Sequence, residues 1–162
     1  LRKEGGGAMT TDALYLPFFN ATREVFNLML DLNNISENPN AIESAGSDGK
    51  INIAIGVTGD LEGEIFYHFP KETTLEMVKI MSGMDFPEVD EFVTSAIGEI
   101  ANIISGKALI SLSQQKIACD ILPPRIISDD EENPFDGTLL KSSTRITTEI
   151  GDVDLDIKLK AK

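Results

Sequence analysis

INIAIGVTGDLEGEIFYHF, residues 51–69, alternates apolar and polar side chains on either side of Gly59-Asp60. Ile51, Ile53, Ile55 and Val57 interleave with Asn52, Ala54, Gly56 and Thr58, and Leu61, Gly63, Ile65, Tyr67 and Phe69 continue the pattern after the turn. A period of two places one set of side chains on one face of a pleated strand, and a Gly-Asp step between two such runs reads as a hairpin. Pro70 closes the second strand because it has no N–H for a ladder.

The neighbours of this hairpin have the other period. Leu75, Val78 and Met81 recur at helical spacing between Lys71 and Met81, and Gly83 supplies the stop. Upstream, Phe18, Val25, Met29 and Leu32, widened by Ala21, Phe26 and Leu28, form one stripe of a helix from Leu14 to Leu32, with Asn20, Arg23, Glu24, Asn27 and Asp31 opposite. The Asn-, Ser-, Gly- and Pro-rich stretch Asn33 to Lys50 reads as a surface loop. Downstream, Val93, Ile97, Ile100, Ile104 and Ala108 predict a long helix from about Asp90 to Gln114, free of proline. A strand from Ile117 to Leu122 stops at Pro123-Pro124, an acidic loop follows from Ser128 to Gly137, and Leu139 to Glu149 with Val153 to Leu159 form a second hairpin about Gly151-Asp152. Paired strands with helices between the groups predict an α+β fold: a largely antiparallel sheet with helices packed on one face.

Composition narrows the partners. The 162 residues, 41% hydrophobic and 25% charged, suffice for one core, so residues 9–162 are expected to form a single domain. Residues 1–8, LRKEGGGA, read as a cloning remnant or linker ahead of Met9. A formal net charge of −13 opposes binding to nucleic acid or to an anionic membrane surface. No contiguous apolar run approaches the roughly 20 residues of a membrane span. One cysteine, Cys119, forms no disulfide within the chain and suits a reducing cytoplasm, while a single histidine, His68, excludes a multi-histidine metal site. Cys119 reads as a small buried hydrophobe and His68 as a structural or exposed residue near a strand end.

The long helix carries the chemistry. In SAIGEIANIISGKAL, residues 95–109, Ser95, Glu99 and Asn102 share a narrow sector away from the apolar stripe. The core needs neither Glu99 nor Asn102. A carboxylate and a carboxamide one turn apart on a rigid helix grip a cation and orient a water together. On spacing alone an ordinary solvated helix face explains them as well.

The pattern Ser, three residues, Glu, two residues, Asn, then a distal proline at Pro123 or Pro124, resembles the signature of the CheC, CheX and FliY phosphatase family, and PFFNATREVFNLML from Pro17 to Leu30 resembles the opening helix of its CheX-like members. The resemblance implies a CheX/CheC-like fold and hydrolysis of the aspartyl phosphate of a CheY-like response regulator. Glu99 would pair with the regulator's lysine and Asn102 would orient the attacking water, with Ser95 in support. Magnesium would be carried by the regulator, and the chain would be a cytoplasmic homodimer built through sheet strands, for which the terminal hairpin offers an edge. A non-catalytic adaptor or sensory module of the same pathway is the alternative. CheC-type members carry two such motifs, and Asn20, Glu24 and Asn27 repeat the spacing on the first helix, making Glu24 and Asn27 a candidate degenerate second site. Asn in place of Ser or Asp, and no Ser-Gly continuation, count against it.

Overall fold

The computed structural model describes residues 11–38, 49–127 and 140–161, with side chains from Leu16 onward. The elements run α1 (Thr11–Leu30), β1 (Ser36–Asn38), β2 (Lys50–Gly59), β3 (Leu61–Pro70), α2 (Lys71–Ser82), α3 (Glu91–Gln114), β4 (Cys119–Ile121), β5 (Arg125–Ile127), β6 (Leu140–Thr148) and β7 (Gly151–Ala161).

Hydrophobic alternation sets the register. Ile53 faces Tyr67 and Ile55 faces Ile65 across the β2–β3 ladder, and Ile65 and Tyr67 face Ile157 and Leu155 of β7. All six are fully or almost fully buried. A slip of one residue would turn every one of them to the opposite face. The strands pair antiparallel in the order β1-β6-β7-β3-β2-β4, with β5 also on β2. The helices cover the face bearing these apolar side chains: Phe18, Val25 and Phe26 of α1 and Ile97, Ile100 and Ile104 of α3 join them in one core. At roughly 1.5–3 kcal/mol for each large side chain removed from water, this layer dominates the stability.

Local signals place the helix ends. Asp90 caps α3 by accepting a hydrogen bond from the Val93 N–H at 3.0 Å, and Glu91 adds negative charge to the first turn. Gly83 ends α2 in the left-handed region at φ 75°, its N–H donating to the Lys79 carbonyl.

The α+β architecture has the expected layers, with local differences. The segment after α1 contains β1, three residues paired to β6, where composition predicts only a loop. Three-residue strands are too short to show periodicity. The strand expected over Ile117 to Leu122 is confined to Cys119–Ile121, because Lys116 is needed at positive φ to leave α3 and the prolines end the ladder. The terminal hairpin turns at Glu149-Ile150, with Thr148 opposite Gly151, two residues earlier than expected. Residues 1–8 and the acidic loop lie outside the described residues. Among the described residues α3 is, by length and composition, apolar enough to cross a membrane, although no contiguous run suggested it; half of its most apolar window is buried within the protein. It serves as the core helix.

The opposite face of the sheet combines a small buried apolar cluster, Ala54, Phe66 and Ile127, with buried polar groups. Asp154 is 2% exposed and accepts from Arg145 Nε at 2.8 Å, Arg145 Nη2 at 3.2 Å and Lys50 Nζ at 3.2 Å. Alongside it, His68 bridges Asn52 at 2.7 Å and Asp156 at 3.0 Å, and Ser143 donates to Asp156. His68 is therefore a buried residue within the sheet, on the face turned away from the helices.

Candidate active site

Helix α3 has two faces with separate jobs. Its buried residues, Val93, Ile97, Ile100, Ala101, Ile104, Ala108 and Leu112, fix it to the sheet. One polar bond adds direction: the Tyr67 hydroxyl of β3 and Ser105 Oγ of α3 lie 2.7 Å apart, both buried. Burial pushes the Tyr67 phenol well above its ordinary pKa, and the bond to Ser105 only partly opposes this, so it is neutral throughout the working pH range.

On the other face Ser95 and Glu99 are exposed and Asn102 is half-buried. Side chains three and four residues apart on a helix sit about 5–6 Å from one another at Cβ, so the Glu99 carboxylate and the Asn102 amide address the same small volume of solvent. Neither has a hydrogen-bond or ion-pair partner among the described residues. Such a pair is available to a ligand without first breaking an internal contact. Pro124 leans on the same stretch from the β4–β5 connection: a Cβ added at Gly98 would lie 3.7 Å from its ring. Pro123 is exposed, so of the two prolines Pro124 is the one that touches α3.

The repeat on α1 is differently employed. Glu24 forms an ion pair with Lys107 of α3 at 3.6 Å. Asn27 Nδ2 donates to the Leu32 carbonyl at 3.2 Å and to Asn33 Oδ1 at 2.8 Å, closing the end of α1 where Asp31 takes a positive φ. Asn20 is exposed. Helical spacing brings these residues to one face, but Glu24 reaches across to α3 and Asn27 bonds the helix terminus.

Three features escaped the periodicity. Phe92 and Ile110 are 54% and 62% exposed, and a 100° step per residue puts both within about 20° of Glu99. Their apolar character on a polar face is legible from a helical wheel. The Tyr67–Ser105 bond is not, because it joins residues far apart in the chain. Cys119 is only partly buried, and desolvation raises its thiol pKa, so it is not an activated nucleophile. Among the described residues no group of three or more His, Cys, Asp or Glu side chains is placed to hold a metal ion.

The family model for the chemotaxis phosphatase CheX matches residues 51–147, from the start of β2 into β6, and therefore includes all of α3. The chain belongs to the CheX family. The CheY-P phosphatase CheX of Thermotoga maritima is 37% identical over 109 residues, covering 66% of this chain and 70% of its own. The fold agrees with the crystal structure of chemotaxis protein CheX from Vibrio vulnificus, at TM-score 0.76 and 21% identity over 90% of this chain and 97% of that one. It also agrees with CheX in the CheX-CheY-BeF3-Mg complex from Borrelia burgdorferi, at TM-score 0.73 and 21% identity over 89% and 96%.

Proposed function

We propose that this CheX-family chain hydrolyses the aspartyl phosphate of a CheY-like response regulator, with Glu99 and Asn102 of α3 as its catalytic residues. The observation that carries the assignment is a carboxylate and an amide one turn apart on a capped, core-anchored helix, both outside the internal hydrogen-bond network. The 37% identical relative named as a CheY-P phosphatase supports the substrate, and the complex of a structural neighbour with CheY supports the partner.

Phosphoryl transfer to water needs little covalent help, so positioning and charge placement suffice. The Asn102 amide accepts from and donates to a water at once, holding it in line with the phosphorus. Being neutral, it does not repel the phosphoryl oxygens as a carboxylate there would. Glu99, projecting beside it, forms a charge-assisted bond to the regulator's lysine and so fixes the two active-site halves in one register. Ser95, one turn before Glu99, supports the same sector. Magnesium belongs to the regulator's half and supplies charge neutralisation at the phosphate.

The same reading takes residues 9–162 as one domain acting in the cytoplasm and as a homodimer. Among the described residues no strand pairs with β6 over Leu140–Thr144 on the side away from β7, and this stretch is the proposed dimer edge. The test is direct: added to a regulator phosphorylated by a small-molecule phosphodonor, the protein accelerates phosphate release, and Glu99→Ala removes the acceleration while leaving the thermal midpoint in place. Binding without acceleration would support the adaptor instead.

Glu24 and Asn27 are structural in this proposal. Glu24→Ala is expected to leave dephosphorylation unchanged, and Asn27→Ala to cost about 1 kcal/mol of stability by exposing the end of α1, again with activity retained. A fall in activity without a fall in stability, read by phosphate release alongside a thermal melt, would make the α1 pair a second site.

A further inference from the structure

Gly106 stands on the catalytic face of α3, and nothing among the described residues requires it to be glycine. Among the described residues a Cβ added there meets nothing within 4 Å, and Gly106 is absent from the residues with positive φ. Glycine inside a helix is worse than alanine because it surrenders more backbone freedom on ordering. Four residues after Asn102, it falls within about 20° of the Glu99 direction. The helix is thus weakened at a position where the described residues leave room for a side chain.

The same face carries two apolar side chains that the core does not use. Phe92, 54% exposed, lies two turns before Glu99, and Ile110, 62% exposed, one turn after Gly106. They are about 27 Å apart along the axis, with the catalytic pair and the glycine between them. Phe92 is also held still: its ring stacks on Phe86 with centroids 5.2 Å apart. A large apolar group already fixed in place loses little freedom when covered.

We infer that Phe92, Gly106 and Ile110 form the docking surface for the folded response regulator, with Gly106 a notch that lets the regulator's backbone close on α3 while Phe92 and Ile110 are covered by its rim. This rests on the proposed phosphatase reading and extends it to partner recognition. The occupant follows from continuity with the catalytic pair. An aspartyl phosphate is attached to a protein surface, so a helix that brings Asn102 to the phosphorus must also bring the turns on either side against that protein.

The test combines affinity, turnover and stability on the full chain. The probes are a CheY-like regulator activated by beryllofluoride and magnesium, for the dissociation constant, and the same regulator phosphorylated, for KM and kcat. Gly106→Leu is expected to raise the melting temperature and yet weaken binding and raise KM by about ten-fold or more, with Phe92→Ala and Ile110→Ala raising both severalfold at little change in kcat. A stabilising substitution that costs affinity is what a purely structural glycine does not give. The inference fails if all three variants keep wild-type dissociation constants, if Gly106→Leu lowers the melting temperature, or if the variants change only self-association by sedimentation, which would assign the face to a second copy. Wild type that binds without turnover would overturn the catalytic roles and leave the docking surface standing.

Discussion

Asn102→Ala is expected to lower the stimulated dephosphorylation rate by about two to three orders of magnitude, the loss typical when one preorganised hydrogen-bonding group is removed from a reacting centre. The fold does not register the change. Asn102 has no internal partner among the described residues, and substitutions of that kind usually stay within about 0.5 kcal/mol. Asn102→Asp separates the two parts of the argument: the side chain keeps its shape and acceptors, gains a negative charge and loses its donors. It is expected to be as inactive as Ala, since the new charge opposes the phosphoryl group, whereas a site needing only a polar side chain would keep its rate. Phosphate release with each variant, beside an unchanged thermal melt, decides between them.

The second large effect concerns stability, on the far side of the sheet. Asp154→Ala leaves Arg145 and Lys50 facing each other without their shared anion. Breaking a buried pair from one side costs roughly 3–5 kcal/mol, and the partial exposure of Arg145 and Lys50, at 34% and 20%, lowers the expectation to roughly 2–3 kcal/mol. For a chain of this size that is a fall of about 5–10 °C in melting temperature. Activity at moderate temperature is retained because α3 lies on the other face. Burial raises the pKa of the Asp154 carboxyl, but the bonds from Arg145 and Lys50 outweigh it and hold the group below its ordinary value. Asp156 is held low in the same way, with His68 and Ser143 overcoming burial. A carboxylate depressed in the folded state contributes stability that is complete above its unfolded pKa near 4 and is lost as pH falls through the folded value. Acid unfolding of the wild type should therefore steepen below about pH 4, and Asp154→Ala should flatten that limb. Equal pH slopes in the two proteins would remove Asp154 from the account.

The legible parts of the fold were those where one short-range rule acts unopposed. The alternation through Ile51 to Phe69 fixes a strand pair and its buried face together, and the stripe from Val93 to Ala108 fixes both the length and the orientation of α3. The α2 helix was bounded by its own punctuation, Pro70 and Gly83. What short-range rules leave open has physical causes. Strands β1 and β5 form because long neighbours offer open ladder positions, which three residues cannot announce. Glu24 and Asn27 match the spacing of Glu99 and Asn102, yet spacing specifies a face and not what already occupies it. Lys107 and the carbonyl of Leu32 occupy the α1 pair, a fact of tertiary arrangement. The polar network of Asn52, His68, Asp154 and Asp156 was hidden because alternation makes every even position on these strands look solvated.

The Tyr67–Ser105 bond, taken with the proposed phosphatase role, has a consequence for choice among regulators. It opposes rolling of α3 about its axis, so in the proposed role the amide of Asn102 would be offered at one angle and would not follow a visitor that seats a few degrees away. A loop could adjust to several phosphorylated domains, at some loss of aim. With the proposed roles of Glu99 and Asn102, this helix would work instead like a fixed gauge, passing the regulator whose rim and phosphate share its spacing and letting a near relative keep its signal.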